Sequence, residues 1–338
     1  MAEKTLNMAK KRAKTITAFV VISALLLVLF FISINLGSIK VSVGTLLKGL
    51  FVEYNEDVAT IVDLRFPRVV ISMLAGAALA VSGSLFQSVL KNPLADPGII
   101  GVCSGAGFVA IVATACFPLL YNFIPIFGFL GGLFAFFLVY SLSYKQGLSP
   151  LRILLVGIAI EALFTGLSSA LNSMSAGNMS GVASIVDGNI TMKTWQDAQS
   201  LSLYVLPGLL MSVFCLKSCD LLALEDKTVQ ALGVNVNTRR FLISLVAVLL
   251  AASSTAIVGV ISFLGLLAPH IGRLLIGNSH KKLVPFSMLL GAFIFLFADT
   301  LGRTIMPPYE INASVVMAVV GGPVFIFLLR KSGYIRGK

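Results

Sequence analysis

Long apolar runs without charged residues are the feature that most limits what this chain can fold into. Residues 16–36 carry no charge on any face of a helix, and similar runs recur along the whole chain. A soluble helix needs a polar face, so a large soluble all-α protein is excluded. Since 57% of the residues are hydrophobic and only 12% are charged, we predict an all-α, polytopic membrane protein.

The apolar runs predict ten transmembrane helices in a single domain that covers residues 1–338. The eighth run is short, because 15 residues rise only about 23 Å against a hydrocarbon core of about 30 Å. The outer loop at 174–197 is expected to hold a short re-entrant helix or a mobile segment. The ten predicted spans are 15–36, 64–90, 98–117, 123–143, 151–173, 198–217, 240–261, 263–277, 283–302 and 312–330.

Positive charges lie at the ends of the apolar runs, which argues against nucleic-acid binding despite a net charge of +11. Cytoplasmic segments of membrane proteins are enriched in Lys and Arg. With a cytoplasmic N-terminus, 19 of the 25 Lys and Arg residues fall in cytoplasmic segments. Both termini are therefore predicted to be cytoplasmic. The remaining six are Lys40, Lys48, Arg65, Arg68, Lys193 and Arg303.

The sequence offers no catalytic set, and we expect neither a bound metal nor a cofactor. It has no G-x-x-x-x-G-K-[ST] motif, so the chain does not hydrolyse ATP alone. Its cysteines lie within or at the ends of apolar runs and are expected to be reduced thiols rather than metal ligands. The chain is therefore expected to move a substrate rather than transform it. A membrane enzyme and an ion-coupled secondary transporter stay as alternatives, and the latter predicts paired carboxylates within the membrane.

A break after the second predicted span organises the topology. The segment Asn92-Pro93-Leu94-Ala95-Asp96-Pro97 cannot continue a helix, because proline lacks the N–H group and restricts the residue before it. The charge count places this break at the cytoplasmic end of the span. We expect a fixed turn in which the Asp96 carboxylate accepts hydrogen bonds from backbone N–H groups.

Several motifs in fixed order resemble one family, over residues from about 40 to 330. Together they look like a permease subunit of the FecCD type, from the type II ABC importers of iron–siderophore complexes, haem and cobalamin. The motifs are Arg65-Phe66-Pro67-Arg68, Gly76–Gly83, Asn92–Pro97, Ala231-Leu232-Gly233-Val234, Gly259–Arg273, Ala298–Arg303 and Gly321–Phe325.

This resemblance implies a set of partners in a bacterial cytoplasmic membrane. Two permeases, identical or related, would pair with a cytoplasmic dimer of P-loop ATPases, and an extracytoplasmic binding protein would deliver the ligand. The loop at 218–239 would be the coupling-helix loop, in which Ala231, Leu232, Gly233 and Val234 sit in a cleft of the ATPase. The alternative for this segment is a solvated connecting loop.

The resemblance also implies that Arg65, Arg68 and Arg303 dock acidic residues of the binding protein. Arginine forms bidentate pairs with carboxylates, which suits such a contact. The alternative is that Arg303 pairs only with Asp299 four residues before it, while Arg65 and Arg68 extend to lipid headgroups.

Two positions depart from the family pattern. Asn312 and its neighbours replace a proline–glycine turn, and Asn312 or Ser314 is expected to cap the last helix. Glu161 lies in the middle of a predicted span, where an ionisable group is costly and marks a functional hypothesis. It is expected to face the translocation path, or to be hydrogen-bonded within the subunit or at the contact between permeases. A ferric siderophore is the first expectation for the cargo, with haem and cobalamin as alternatives.

Overall fold

The structure is a computed structural model that describes residues 2–36, 55–143, 150–174 and 187–331, together with residues 42, 44, 45, 48, 49 and 185. These residues form twelve α-helices, a 3₁₀ segment at Pro118–Phe123 and no β-strand. The helices are α1 (Ala2–Asn35), α2 (Glu56–Leu64), α3 (Phe66–Val89), α4 (Val102–Cys116), α5 (Ile124–Ser143), α6 (Pro150–Met174), α7 (Trp195–Leu222), α8 (Asp226–Ala231), α9 (Val236–Val258), α10 (Leu264–Ile276), α11 (His280–Thr304) and α12 (Ala313–Lys331).

Each predicted span coincides with an apolar helix. Among the described residues, seven helices are long and apolar enough to cross a membrane, and three shorter ones occupy the third, eighth and tenth predicted positions. The eighth, α10, has 13 residues, as its short apolar run predicts. The all-α, polytopic class is confirmed, while ten crossings stay a prediction. Lys40 and residues 175–184 and 186 of the predicted outer loop lie outside the described residues.

Helix α3 is the centre of the bundle and packs against α7, α9, α10 and α11. Glycines allow this close approach, as is common between helices in membranes. A Cβ added at Gly76 would lie 2.4 Å from the carbonyl oxygen of Gly291, and one at Gly83 would lie 2.1 Å from that of Gly265. The backbones of α3, α10 and α11 therefore touch directly.

The helical path breaks between α9 and α10. Gly259 and Phe263 both have positive φ, at 78° and 66°, which glycine adopts freely and phenylalanine only under constraint. A Cβ on Gly259 would lie 2.5 Å from the Cα atom of Gly188. The loop before α7 therefore packs into the break, and α10 begins after it.

The segment between α3 and α4 is a tight turn, as its prolines predict. The Asn92 side chain accepts a hydrogen bond from the N–H of Leu94 at 2.9 Å. The Asp96 carboxylate accepts one from the N–H of Gly98 at 2.8 Å. Gly101 ends the turn with φ of 83°. Asp96 therefore has the backbone-binding role that the sequence predicts for it.

Candidate functional site

A cluster of ion pairs joins three segments at the N-terminal end of α3, which is its predicted outer end. We name Arg68, Asp299, Arg303 and Glu310 the outer cluster. The Nη2 and Nε atoms of Arg68 donate to the Asp299 carboxylate at 2.8 and 3.1 Å. Its Nη1 atom donates to Glu310 at 2.8 Å. Arg303, one turn after Asp299 on α11, approaches the same carboxylate at 3.3 Å.

The outer cluster is almost closed to solvent. The side chains of Arg68 and Asp299 are 9% and 1% exposed, and that of Arg303 is 10% exposed. Glu310, in the loop after α11, is the accessible member at 38%. Burial opposes its ionisation, but the hydrogen bond and charge of Arg68 outweigh this effect, so the pKa of Glu310 lies below its ordinary value. The cluster holds two arginines and two carboxylates, which balances its charge.

Glu310 also connects the outer cluster to the loop before α7. The Thr191 hydroxyl donates to the Glu310 carboxylate at 2.8 Å. Asn312 and Ser314, predicted as helix caps, donate to the Asp187 carbonyl at 3.2 and 2.8 Å. These two side chains therefore tie the start of α12 to that loop.

The three predicted docking arginines lie at one end of the bundle, and all have contacts within the chain. Arg65, half-buried at the junction of α2 and α3, donates to the Ile34 carbonyl at 2.9 Å. Arg303 donates to the Ser33 hydroxyl of α1. The pairing of Arg303 with Asp299 agrees with the alternative that their spacing offered, whereas the bidentate bond from Arg68 was not predicted. That bond joins residues 231 positions apart, so no local spacing signals it.

The predicted coupling segment is an exposed turn. Helix α8 ends at Ala231, and Gly233 follows with φ of 76° and open space around its Cα atom. Ala231 and Gly233 are exposed, Leu232 is 62% exposed, and Val234 is half-buried. Val229 is fully buried and anchors the short helix to the bundle. The turn therefore presents small and apolar groups to solvent while its base stays fixed.

A second ion-pair network holds α8 at the C-terminal end of α3, which is its predicted inner end. Asp226 pairs with Lys91 at 2.9 Å and with Arg240 at 3.0 Å. We name these three residues the inner network. The Lys91 hydrogen bond, with the charges of both cations, places the pKa of Asp226 below its ordinary value. The network ties the turn after α3 to α8 and α9, and no sequence signal predicted it.

Glu161 lies on a helix that the rest of the chain covers poorly. Only 22% of the most apolar stretch of α6 is buried, against 83% of the corresponding stretch within Glu56–Val89, which ends with α3. Gly157, one turn earlier, packs on the turn before α4, where an added Cβ would meet the Ile99 carbonyl at 2.5 Å. Glu161 is half-buried. Its charge adds to burial, the main cause, in raising the pKa of Asp96 to about 6.

The fold places the chain in a class of transport proteins. A metal-chelate type ABC transporter solved in an inward-facing conformation has a TM-score of 0.77 and 30% identity, covering 92% of this chain and 97% of that one. PsaBC from Streptococcus pneumoniae has the same fold at a TM-score of 0.54 and 18% identity, covering 88% of this chain and all of that one. The fold is that of a type II ABC importer permease.

The family model named FecCD transport family matches residues 25–331. A curated relative, "Probable heme-iron transport system permease protein IsdF" of Staphylococcus aureus strain MSSA476, is 38% identical over 96% of this chain and 98% of its own length. Its counterpart in strain Newman matches equally. The chain therefore belongs to the FecCD transport family, as its motifs predict.

Proposed function

We propose that this chain is the membrane-spanning permease of an importer for iron complexes, and that its cargo is haem. The observation that carries this proposal is the match to the heme-iron permease IsdF, which extends over 98% of that protein. A ferric siderophore, the first expectation from the sequence, belongs to the same family and is the competing cargo. Energy would come from ATP hydrolysed by a partner chain, since this sequence has no P-loop.

Uptake by the reconstituted transporter distinguishes the two cargoes. The permease is assembled in proteoliposomes with its ATPase and binding protein, and uptake of haemin and of a ferric hydroxamate is measured with and without ATP. We expect ATP-dependent haemin uptake at least about tenfold above that of the hydroxamate. The reverse preference would overturn haem and support the siderophore.

We also propose that Ala231, Leu232, Gly233 and Val234 seat in the ATPase. The exposed, small-residue turn supports this role, because small side chains let two backbones approach closely. Leu232→Asp should lower co-purification of the ATPase by about tenfold or more, since it buries a charge in the contact. Leu224→Asp is the matched control, since Leu224 is 44% exposed in the segment on the other side of α8. Equal loss in both variants would contradict the proposal.

The outer cluster suggests how an acidic binding protein would dock. We propose that its carboxylates replace Glu310 on Arg68 and also engage Arg65 and Arg303. The Arg68–Glu310 bond is the one that an incoming carboxylate would replace, because Glu310 is the exposed partner of Arg68. Release of Glu310 would also free Thr191 and the loop before α7.

Charge reversal tests this docking surface. Arg65→Glu should slow capture of the binding protein by about tenfold at low salt, and less as salt rises. Arg239→Glu is the control, because Arg239 is exposed near the inner network at the opposite end. If both variants capture the binding protein like the wild type, Arg65 does not dock it.

Glu161 is proposed to line the path between two permeases. The open face of α6 supports a contact outside the chain, since Leu155, Ile158 and Leu163 are all at least half exposed. Glu161→Ala should reduce uptake by about fivefold, and Glu161→Gln by less, because glutamine keeps the hydrogen-bonding group. Thr165→Ala, one turn further on an exposed position, should have no effect. Wild-type uptake in both Glu161 variants would remove it from the path.

The charge distribution supports a topology with both termini in the cytoplasm. Arg65, Arg68 and Arg303, which the count assigns to the outside, meet in one place in the fold. Cys116 is exposed at the end of α4 on the same side. A membrane-impermeant maleimide should therefore label Cys116 in intact cells, and Cys116→Ser should abolish the signal. Labelling only after permeabilisation would reverse the orientation.

A further inference from the structure

A cavity of about 480 Å³ lies beside the inner network, between the ends of α3, α5, α6 and α9. Aromatic side chains form one wall, with ring centroids of Phe136 and Tyr140 6.1 Å apart and those of Phe137 and Phe241 6.2 Å apart. Phe137 and Phe241 are 45% and 44% exposed. Tyr140, which is 38% exposed, is of a residue type that is enriched at the membrane interface. The cavity therefore opens towards lipid.

The other wall of the cavity is polar and positively charged. Lys91 and Arg240 both line it, and they share the carboxylate of Asp226. The three side chains together keep a net positive charge. The cavity thus combines an apolar aromatic wall with a cationic mouth.

Two buried polar atoms in this cavity have no hydrogen-bond partner among the described residues. Ser244 lines it at 1% exposure, and its Oγ atom has no hydrogen-bond partner in the part of the chain that the structure describes. The same holds for the buried Nε atom of Arg240. An unpaired buried donor is costly, so these groups indicate a ligand that accepts hydrogen bonds.

The geometry points to a binding site for an anionic phospholipid of the inner leaflet, which would be held with its phosphate at Lys91 and Arg240. An ester carbonyl of the lipid accepts the Ser244 hydroxyl proton, and the first part of one acyl chain packs on the aromatic wall. The volume lies within the range of about 300–1,000 Å³ for ligand pockets. Basic pockets between transmembrane helices bind anionic headgroups in this way.

Such a lipid would act on the position of α8. Its phosphate competes with Asp226 for the same two cations, so binding loosens the link between α8 and the turn after α3. The site does not depend on which iron complex the transporter carries.

Native mass spectrometry of the purified full-length permease tests the site with phosphatidylglycerol and phosphatidylcholine. We expect one phosphatidylglycerol to be retained with at least about tenfold higher affinity than phosphatidylcholine. Ser244→Phe fills the cavity and should abolish this difference. Lys91→Gln leaves the buried wall intact and should reduce it by about fivefold or more, so the test survives if Ser244→Phe does not fold.

A second groove supplies the matched control. It has a volume of about 400 Å³, lies between α5, α7 and α9, and is lined by Cys215 and other apolar residues without a charged side chain. Cys215→Phe should leave phosphatidylglycerol retention unchanged. Equal retention of both lipids, or wild-type retention in Lys91→Gln, would overturn the proposal. Displacement of the lipid by millimolar inorganic phosphate would overturn it in favour of a free-anion site.

Discussion

The two ends of α3 carry ion pairs of opposite character. At the outer end, Arg68 and Asp299 have side-chain exposures of only 9% and 1%. At the inner end, Lys91 and Asp226 are exposed at 33% and 42%. Removing one partner of a buried pair strands the other charge and costs about 3–5 kcal/mol, whereas exposed pairs contribute about 0–1 kcal/mol. The outer cluster therefore fixes helices together, and the inner network is weak enough to exchange partners.

The largest expected effect comes from removing the buried carboxylate. Asp299→Asn should lower the free energy of unfolding by about 3–5 kcal/mol, because Arg68 and Arg303 then keep their charges in a buried place with only Glu310 to balance them. Loss of helical circular dichroism on titration with sodium dodecyl sulfate measures this change. A shift no larger than that of Asp226→Asn would remove the contrast between the two ends.

Asp96 is a buried carboxylate whose removal should raise the free energy of unfolding, whereas removal of Asp299 should lower it. Asp96 is 2% exposed at the inner end, and burial raises its pKa to about 6. The folded state therefore binds the proton more tightly than the unfolded chain, so wild-type stability falls as the pH rises from about 4 to about 7.

Asp96→Asn keeps the acceptor for the Gly98 N–H and removes the buried charge. It should raise the free energy of unfolding near neutral pH by up to about 3 kcal/mol and flatten the pH dependence. Thermal unfolding at pH values of about 5 and about 7.5 measures both effects. A variant less stable than the wild type near neutral pH would show that the charge is needed.

Arg68→Lys separates the effect of charge from that of bidentate geometry in the outer cluster. Lysine keeps the charge but cannot form the bidentate pair with Asp299 and reach Glu310 at once. We expect a loss of about 2 kcal/mol in the free energy of unfolding, smaller than that of Asp299→Asn. The same detergent titration measures it. An unchanged unfolding curve would mean that charge alone, without the bidentate geometry, holds the cluster.

The smallest effect is expected at the inner network. Asp226→Asn should change the free energy of unfolding by no more than about 1 kcal/mol, because both cations stay partly hydrated. High salt should reduce the difference further, since it screens exposed pairs. Unfolding curves with and without added salt provide the measurement. A loss as large as that of Asp299→Asn would show that the inner network is also structural.

Local sequence signals predicted the helices and the turns between them. The short apolar run of the eighth span gave a short α10, and the prolines around Asp96 gave the turn after α3. The pairing of Asp299 with Arg303 followed from a spacing of four residues on one helix. These predictions succeeded because hydrophobic length, proline chemistry and helical periodicity act within a few neighbouring residues.

Contacts between segments that are far apart in the sequence could not be predicted from such local signals. The sequence placed Arg68 among the docking residues, and the structure shows it buried against Asp299. Lys91, Asp226 and Arg240 come from three separate segments, and nothing in their spacing indicates that they meet. Side-chain partners across such distances depend on how the helices pack.

The sequence by itself determined that the chain spans a membrane, where its helices lie and which family it resembles. Charge-free apolar runs leave no alternative to helices in lipid, because every backbone polar group there needs a partner within the chain. Only the tertiary structure decided which charges are buried and which are exposed. That division depends on the direct contact of α3 with its neighbours at Gly76 and Gly83, which brings Arg68 to Asp299 and leaves the inner network partly exposed.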